Sequence, residues 1–134
     1  MSVLVFLDGV LKKDGGSPIA QGTALFRSLK EQRRTLILCK NKAHTEVWLK
    51  ENNILSIDDL VSGDELGIDD EFNLVEYCRS KGYVDIVVTA DVDLSHRLLE
   101  AGIHTILYLD PKYTRPEFRP DDPRGKRSWD DLQA

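Results

Sequence analysis

This sequence has few cysteines, no long apolar run and no net positive charge, and each of these features excludes a class of protein. The chain has two cysteines, Cys39 and Cys78, and their separation fits no metal-binding or redox motif. No apolar run approaches the roughly 20 residues that cross a bilayer, so we expect no association with membranes. The formal net charge is −5, which argues against a general role in nucleic-acid binding.

The beginning of the sequence also lacks the features of a secretory leader. Its first apolar run, Val3–Leu7, is short for a signal peptide, and no basic residue precedes it. Together with the sparse cysteines, this favours a reduced, cytoplasmic setting. A chain of 134 residues with 41% hydrophobic and 31% charged residues has the size and composition of one globular domain.

Short apolar runs rich in Val, Ile and Leu alternate with amphipathic segments along the chain. The runs SVLVFL, TLILC, VDIVVT and HTILYL are typical of parallel strands that are covered on both faces. The segments 17–31, 43–51, 71–81 and 93–101 carry apolar residues at helical spacing. We expect a further short strand at 59–61. This alternation predicts an α/β fold, a three-layer Rossmann-like sandwich with a mainly parallel sheet.

The alternation stops near residue 110, and the rest of the sequence is polar and rich in proline. We therefore expect an α/β domain over residues 1–111 and an irregular C-terminal tail over 112–134, since prolines exclude a long helix or a central strand there. The tail still contains aromatic residues, which favour burial because each removes a large apolar area from water. We expect Phe118 or Trp129 to anchor the tail on its own domain, on a second copy, or on an unidentified partner protein.

Polar and reactive residues come directly after the predicted strands, where ligands bind in sheets of this kind. Asp8 and Gly9 come after the first strand, and this pair also suits a simple turn. Cys39 ends the second strand, and a cysteine buried in a strand is usually inert. Lys40 and Asn41 precede the next helix and could bind an anion through side chains and free backbone N–H groups.

These segments resemble the haloacid dehalogenase-like (HAD) phosphohydrolases, in the compact, cap-less form of the phosphatase domain of phage polynucleotide kinase-phosphatase. The segment LDGVL, 7–11, is similar to the family's DGTL motif, and LILCKN, 36–41, resembles its second strand. The segment 87–108 is similar to the fourth motif, with a strand, a helix, Ala-Gly-Ile and a last strand. The resemblance implies a HAD-like fold over residues 2–110 and suits a protein of phage or other mobile-element origin.

The chemistry of the family requires residues that this chain mostly lacks. In the family one aspartate attacks phosphorus, a second protonates the leaving group, and acids of the fourth motif hold the Mg²⁺ that offsets the charge of the phosphate. Asp8 alone keeps its place, as the second aspartate. Phe6 stands at the nucleophile position, and its side chain is expected to fill the phosphate position with apolar surface. The degenerate positions are Phe6, Val10, Cys39, Thr89 and Ala90.

An acidic segment occupies the region where the resemblance implies a phosphate-binding lysine. Residues 51–76 hold nine Asp and Glu and no Lys or Arg, and Asp69, Asp70 and Glu71 stand just before the third predicted helix. Acids favour the first turn of a helix, and their spacing does not match a calcium-binding loop. We therefore interpret the segment as a solvated loop and helix start.

The resemblance implies a catalytically silent HAD-like protein that binds a partner protein or a small anion and uses no metal or other cofactor. One alternative is an active phosphatase on a nucleotide or a nucleic-acid end, in which Asp8 works with Asp91 or Asp93 and Mg²⁺. Another is a structural or oligomerising domain. For the first hypothesis, the ligand pocket is expected to be formed by Gly9, Lys40, Asn41, Asp91 and Asp93.

Overall fold

A computed structural model describes residues 2–54 and 57–110 of the chain. The predicted strands and helices are all present there, and the largest displacement is at the first helix, expected from Ser17 and found from Ala20. The predicted tail 112–134, with Phe118 and Trp129, lies outside the described residues. The elements are β1 (Ser2–Phe6), α1 (Ala20–Gln32), β2 (Arg34–Cys39), α2 (Lys42–Glu51), β3 (Asp59–Ser62), α3 (Gly63–Leu66), α4 (Glu71–Lys81), β4 (Val84–Thr89), α5 (Val92–Glu100) and β5 (His104–Leu107).

The five strands form one sheet in the order β3-β2-β1-β4-β5. Each neighbouring pair is parallel, which confirms the predicted α/β fold with its Rossmann-like sheet. The chain moves outward from β1 to β3 and then crosses back to β4 on the other side of β1. In doubly wound sheets, ligands bind where the strand order reverses in this way, beyond the carboxyl ends of the strands. No helix among the described residues is long and apolar enough to cross a membrane.

Side chains of β1 alternate between the two faces of the sheet, and each face has its own core. On the face that we call the α1 face, Val5 belongs to a cluster with Phe26 of α1 and Trp48 of α2. On the opposite face, the α4 face, Phe6 belongs to a cluster with Leu74 of α4 and with residues of α5. Full burial of side chains of this size stabilises a fold by roughly 1.5–3 kcal/mol each, so the central strand is held firmly from both sides.

The segment between β1 and α1 folds back on itself at the carboxyl edge of the sheet. Leu11 donates its backbone N–H to the carbonyl of Leu7 at 3.0 Å, which closes a turn around Asp8. Further along, the indole Nε1 of Trp48 donates to the carbonyl of Gly16 at 2.7 Å. Helix α2 therefore holds this segment in place, and the backbone around Asp8 is fixed at both ends.

Helix α1 approaches the turn after β1 through a glycine. A Cβ atom added at Gly22 would overlap the carbonyl oxygen of Val10. Glycine ordinarily weakens a helix, so its presence in the first turn of α1 has a packing reason. The absent side chain lets the helix backbone lie directly on the turn that carries Asp8.

Replacing Gly22 with alanine should therefore lower the free energy of unfolding by about 1–3 kcal/mol, because the added methyl group overpacks the contact with Val10. Gly15→Ala is the matched control, since an added Cβ there meets nothing within 4 Å. The control should change stability little. Urea denaturation measures both variants, and equal midpoints would contradict the close approach of α1.

Candidate functional site

A cavity of about 340 Å³ opens on the α4 face, at the carboxyl ends of β1 and β2. We call it the β1 pocket. Its volume is in the range of small-molecule sites, roughly 300–1,000 Å³. Its floor is apolar and is formed by Phe6, Leu38, Ile68 and Leu74. Its rim is charged and is formed by Asp8, Lys40, Asp64, Asp69, Asp70 and Glu71.

Phe6 lies in the floor of this pocket and is 5% exposed. Because side chains alternate along β1, Phe6 points to the α4 face, where it packs with Leu38 and Leu74. The resemblance to the family assigns the nucleophile to this position. The sequence predicts that this ring fills the phosphate position with apolar surface. In the structure the ring is part of the apolar lining, and a cavity remains beside it.

Thr89 and Ala90, the two degenerate positions after β4, contact backbone rather than open space. The Thr89 hydroxyl oxygen accepts the backbone N–H of Asp91 at 3.1 Å. Gly9 has a φ of 86°, in the left-handed region, and a Cβ added there would be 2.6 Å from the Cβ of Ala90. The turn after β1 therefore lies against the loop after β4, and the two loops meet through their smallest residues.

The residues present do not fit the Mg²⁺ that the resemblance implies. Within residues 2–54 and 57–110, no three His, Cys, Asp or Glu side chains are close enough to hold a metal ion together. A hard divalent cation takes several protein or water oxygens in a near-regular arrangement. Asp8 supplies one carboxylate at the end of β1, while Thr89 and Ala90 supply none at the end of β4.

Asp91 and Asp93 lie at the start of α5, beside the β1 pocket and not in its lining. The Asp91 carboxylate caps the helix by accepting the backbone N–H of Leu94 at 3.2 Å. Asp93 is in the first turn of the same helix. Both line a smaller neighbouring cavity with Lys40 and Glu71. Asp8 lines the β1 pocket and these two acids line the neighbouring cavity, while Glu71 at the start of α4 lines both.

The residues predicted to hold an anion have other roles or strongly acidic surroundings. The Asn41 side chain accepts the backbone N–H of His44 at 3.0 Å and so caps α2. Lys40 is exposed and lines both cavities. The remaining charged residues that line the β1 pocket are acidic. An anion at Lys40 would therefore also meet the carboxylates of Asp69, Asp70 and Glu71.

Glu71 is the site residue that the sequence analysis missed. It begins α4, one turn before Leu74, so that both point towards the pocket. Burial raises the pKa of Glu71 above its ordinary value, and the charges of Asp91 and Asp8 raise it further, while Lys40 opposes them. Because the neighbouring residues are also acidic, the sequence suggests that Glu71 is a solvated surface residue. The spacing of Glu71 and Leu74 on one helix face is the signal that could have identified it.

The start of α4 is held in position by its neighbours in the chain and by α5. The Asp70 carboxylate accepts the backbone N–H of Asn73 at 3.2 Å, which caps the helix. The guanidinium of Arg97 in α5 lies 3.4 Å from the other Asp70 oxygen. Because both partners are about half exposed, this ion pair stabilises the fold weakly. The ion pair mainly fixes the position at which α4 begins, and therefore the position of Glu71.

The two cysteines are buried and free, one in the core of each face. Burial raises the pKa of the Cys39 thiol, although a hydrogen bond with Thr45 opposes the effect. Burial also raises the pKa of Cys78 to about 11. A thiol that stays protonated at neutral pH is a poor nucleophile, so Cys39 is a packing residue at the end of β2.

No family model matches the chain, and no curated protein matches it. Among solved structures, the crystal structure of an uncharacterised protein from Corynebacterium glutamicum is similar, with a TM-score of 0.58 and 18% sequence identity. The match covers 81% of this chain and 85% of that chain. A likeness at this level of identity shows the fold, a three-layer α/β arrangement, and leaves function to the residues of the site.

Replacing Glu71 with glutamine should stabilise the protein at neutral pH. A raised pKa means that folding favours the protonated carboxyl, so its contribution is present at low pH and is lost as the pH rises through the folded-state pKa. The uncharged amide avoids that loss. Thermal unfolding should therefore show a higher midpoint than wild type at pH 7 and little difference near pH 3.5, below the ordinary glutamate pKa of about 4.3.

Glu46→Gln is the control for this measurement, because Glu46 is exposed in α2. It should alter the midpoint at pH 7 only slightly. A Glu71→Gln protein that is less stable than wild type at pH 7 would show that the ionised carboxylate has a stabilising partner.

Proposed function

We propose that this protein is a catalytically silent HAD-like domain that acts by binding, and that the β1 pocket holds its ligand. The position of Phe6 carries the proposal. Phe6 is a buried phenyl ring in the lining of an open pocket, and the resemblance assigns the family's attacking carboxylate to this position. A phenyl ring has no lone pair to attack phosphorus and no proton to exchange, so the covalent route of the family is closed.

The charge of the pocket favours a cationic ligand over the small anion that the sequence suggests. Five carboxylates and Lys40 line the rim, together with the apolar floor. Burial and then the neighbouring charges of Asp91 and Asp8 already raise the pKa of Glu71, so negative charge is crowded there. A ligand with an ammonium or guanidinium group would relieve that crowding, and an apolar group beside it would cover Phe6 and Leu74.

This chemistry is found in a small organic amine and in a Lys or Arg side chain of a partner protein. Both have a cationic head and an apolar body, and both would bury part of the floor of the pocket. A partner protein would also need a surface around the pocket, whereas a free amine needs only its volume. The class of ligand is common to both, and experiments with small probes test that class directly.

The charge preference can be measured with phenethylammonium and 3-phenylpropionate, which share an apolar body and carry opposite charges. Titration followed by amide chemical shifts should show changes at Asp8, Phe6 and Glu71 for the ammonium compound only. The double variant Asp8→Asn/Glu71→Gln should weaken its binding by about tenfold, which corresponds to about 1.4 kcal/mol.

The matched control for this titration is Asp14→Asn/Glu46→Gln, which removes the same amount of charge at exposed positions outside the lining of the pocket. Its affinity for phenethylammonium should stay close to that of wild type. Tighter binding of the carboxylate, or equal weakening by the two double variants, would contradict the proposed cationic site.

Turnover distinguishes the silent domain from an active phosphatase. With Phe6 at the nucleophile position and a single carboxylate at the end of β1, a generic phosphomonoester with Mg²⁺ should be hydrolysed no faster than in buffer. An active phosphatase that uses Asp8 with Asp91 or Asp93 would give turnover that survives repurification and disappears in Asp8→Asn. That result would overturn the silent-domain proposal, whichever ligand the pocket prefers.

A further inference from the structure

The helices cover the α1 face of the sheet incompletely. Helix α1 packs on β2 and helix α2 packs on β3. Side chains of β1 belong to the same core. Helices α4 and α5 pack on the opposite face. On the α1 face Val88 of β4 is fully buried, whereas Ile106 of the edge strand β5 is 36% exposed. Parallel strands in doubly wound sheets are normally buried on both faces, so the cover of this face is incomplete towards β5.

Strand register identifies the side chains in this incompletely covered part of the face. Val88 of β4 belongs to the α1-face core and pairs with Ile106 of β5. Paired residues of parallel strands point to the same side of the sheet, so Ile106 points to the α1 face, and Ile86 and Tyr108 do so by alternation. Ile106 is 36% exposed, while Ile86 and Tyr108 are partly buried against the core. We call Ile86, Ile106 and Tyr108 the open half-face.

We propose that residues 111–134 of the same chain cover the open half-face. The described chain ends at Asp110, two residues after Tyr108, so these residues start at the edge of the incompletely covered surface. Tyr108 donates its backbone N–H to the carbonyl of Thr89 at 2.8 Å, which holds the exit point on the sheet beyond β5.

The length and composition of residues 111–134 suit this role. Neighbouring strands lie about 4.8 Å apart, so the half-face is about two strand spacings wide. Phe118 is eight residues beyond Asp110, and an extended chain of that length reaches roughly 26 Å. The prolines oppose a long helix, but an extended segment can lie across the strands and place Phe118 or Trp129 on Ile106.

A second copy of the protein is a weaker candidate for the same surface. A stable interface buries about 800 Å² on each partner, and three side chains, two of them already partly buried, supply much less. A segment of the same chain covers a small surface without the cost of association, since its effective concentration is set by a short connection. The size of the open half-face therefore favours the attached segment.

Hydrogen exchange measured by mass spectrometry on the full chain tests the proposal. Peptides from residues 111–134 should exchange at least about tenfold more slowly than an unstructured chain. Ile106→Asp should remove that protection, because a carboxylate cannot stay buried under an apolar cover. Val47→Asp is the control, since Val47 is exposed in α2, far along the chain from the half-face, and it should leave the protection unchanged.

Each outcome of this experiment decides the matter. Protection in a monomer, verified by sedimentation equilibrium and lost in Ile106→Asp, supports the proposal. Protection that rises with protein concentration together with a dimer would overturn it in favour of a second copy. Exchange at the unstructured rate in the wild type would overturn it and leave the surface to another protein. If Ile106→Asp unfolds, Phe118→Ser and Trp129→Ser test the contact from the other side without altering the sheet.

Discussion

The burial of β1 from both faces is the constraint on which the rest of the structure depends. Val5 packs under α1 and α2, while Phe6 packs under α4, so the strand cannot rotate or slide without disrupting both cores. A one-residue slip would exchange these two sets of side chains. Because the strand is fixed, the turn around Asp8 is fixed too, and the β1 pocket takes its apolar floor from the same residue that secures the strand.

Electrostatics at the carboxyl edge depend on how the helices begin there. Asp70 and Asp91 cap α4 and α5, and their carboxylates accept backbone N–H groups at 3.2 Å. A capping acid near a helix N-terminus is stabilised by the local dipole, but its oxygens are then directed to the backbone. Within residues 2–54 and 57–110, the edge therefore gathers negative charge without forming a cluster of ligands for a metal. Glu71 has no such cap role and carries the resulting crowding of charge.

Local patterns predict the strands and most of the helices because apolar runs and helical spacing persist over many residues. The short α3 escapes prediction, since four residues give too little periodicity. The fold class is evident from alternation, but the role of Asp91 as the cap of α5, outside the lining of the β1 pocket, depends on loop paths that no local pattern specifies. The sequence suggests an anion pocket at Asn41, yet asparagine before a helix is also a common cap, and that simpler role is the one in the structure.

The two buried thiols lie on opposite sides of the sheet, and this makes them reporters of how the molecule opens. Cys39 belongs to the core under α1 and α2, whereas Cys78 belongs to the core under α4 and α5. Cys39 also lines the β1 pocket, and Cys78 lines a second cavity of about 380 Å³. The rates at which an alkylating reagent labels the two thiols in the native chain would therefore report separately on how open each side of the sheet is.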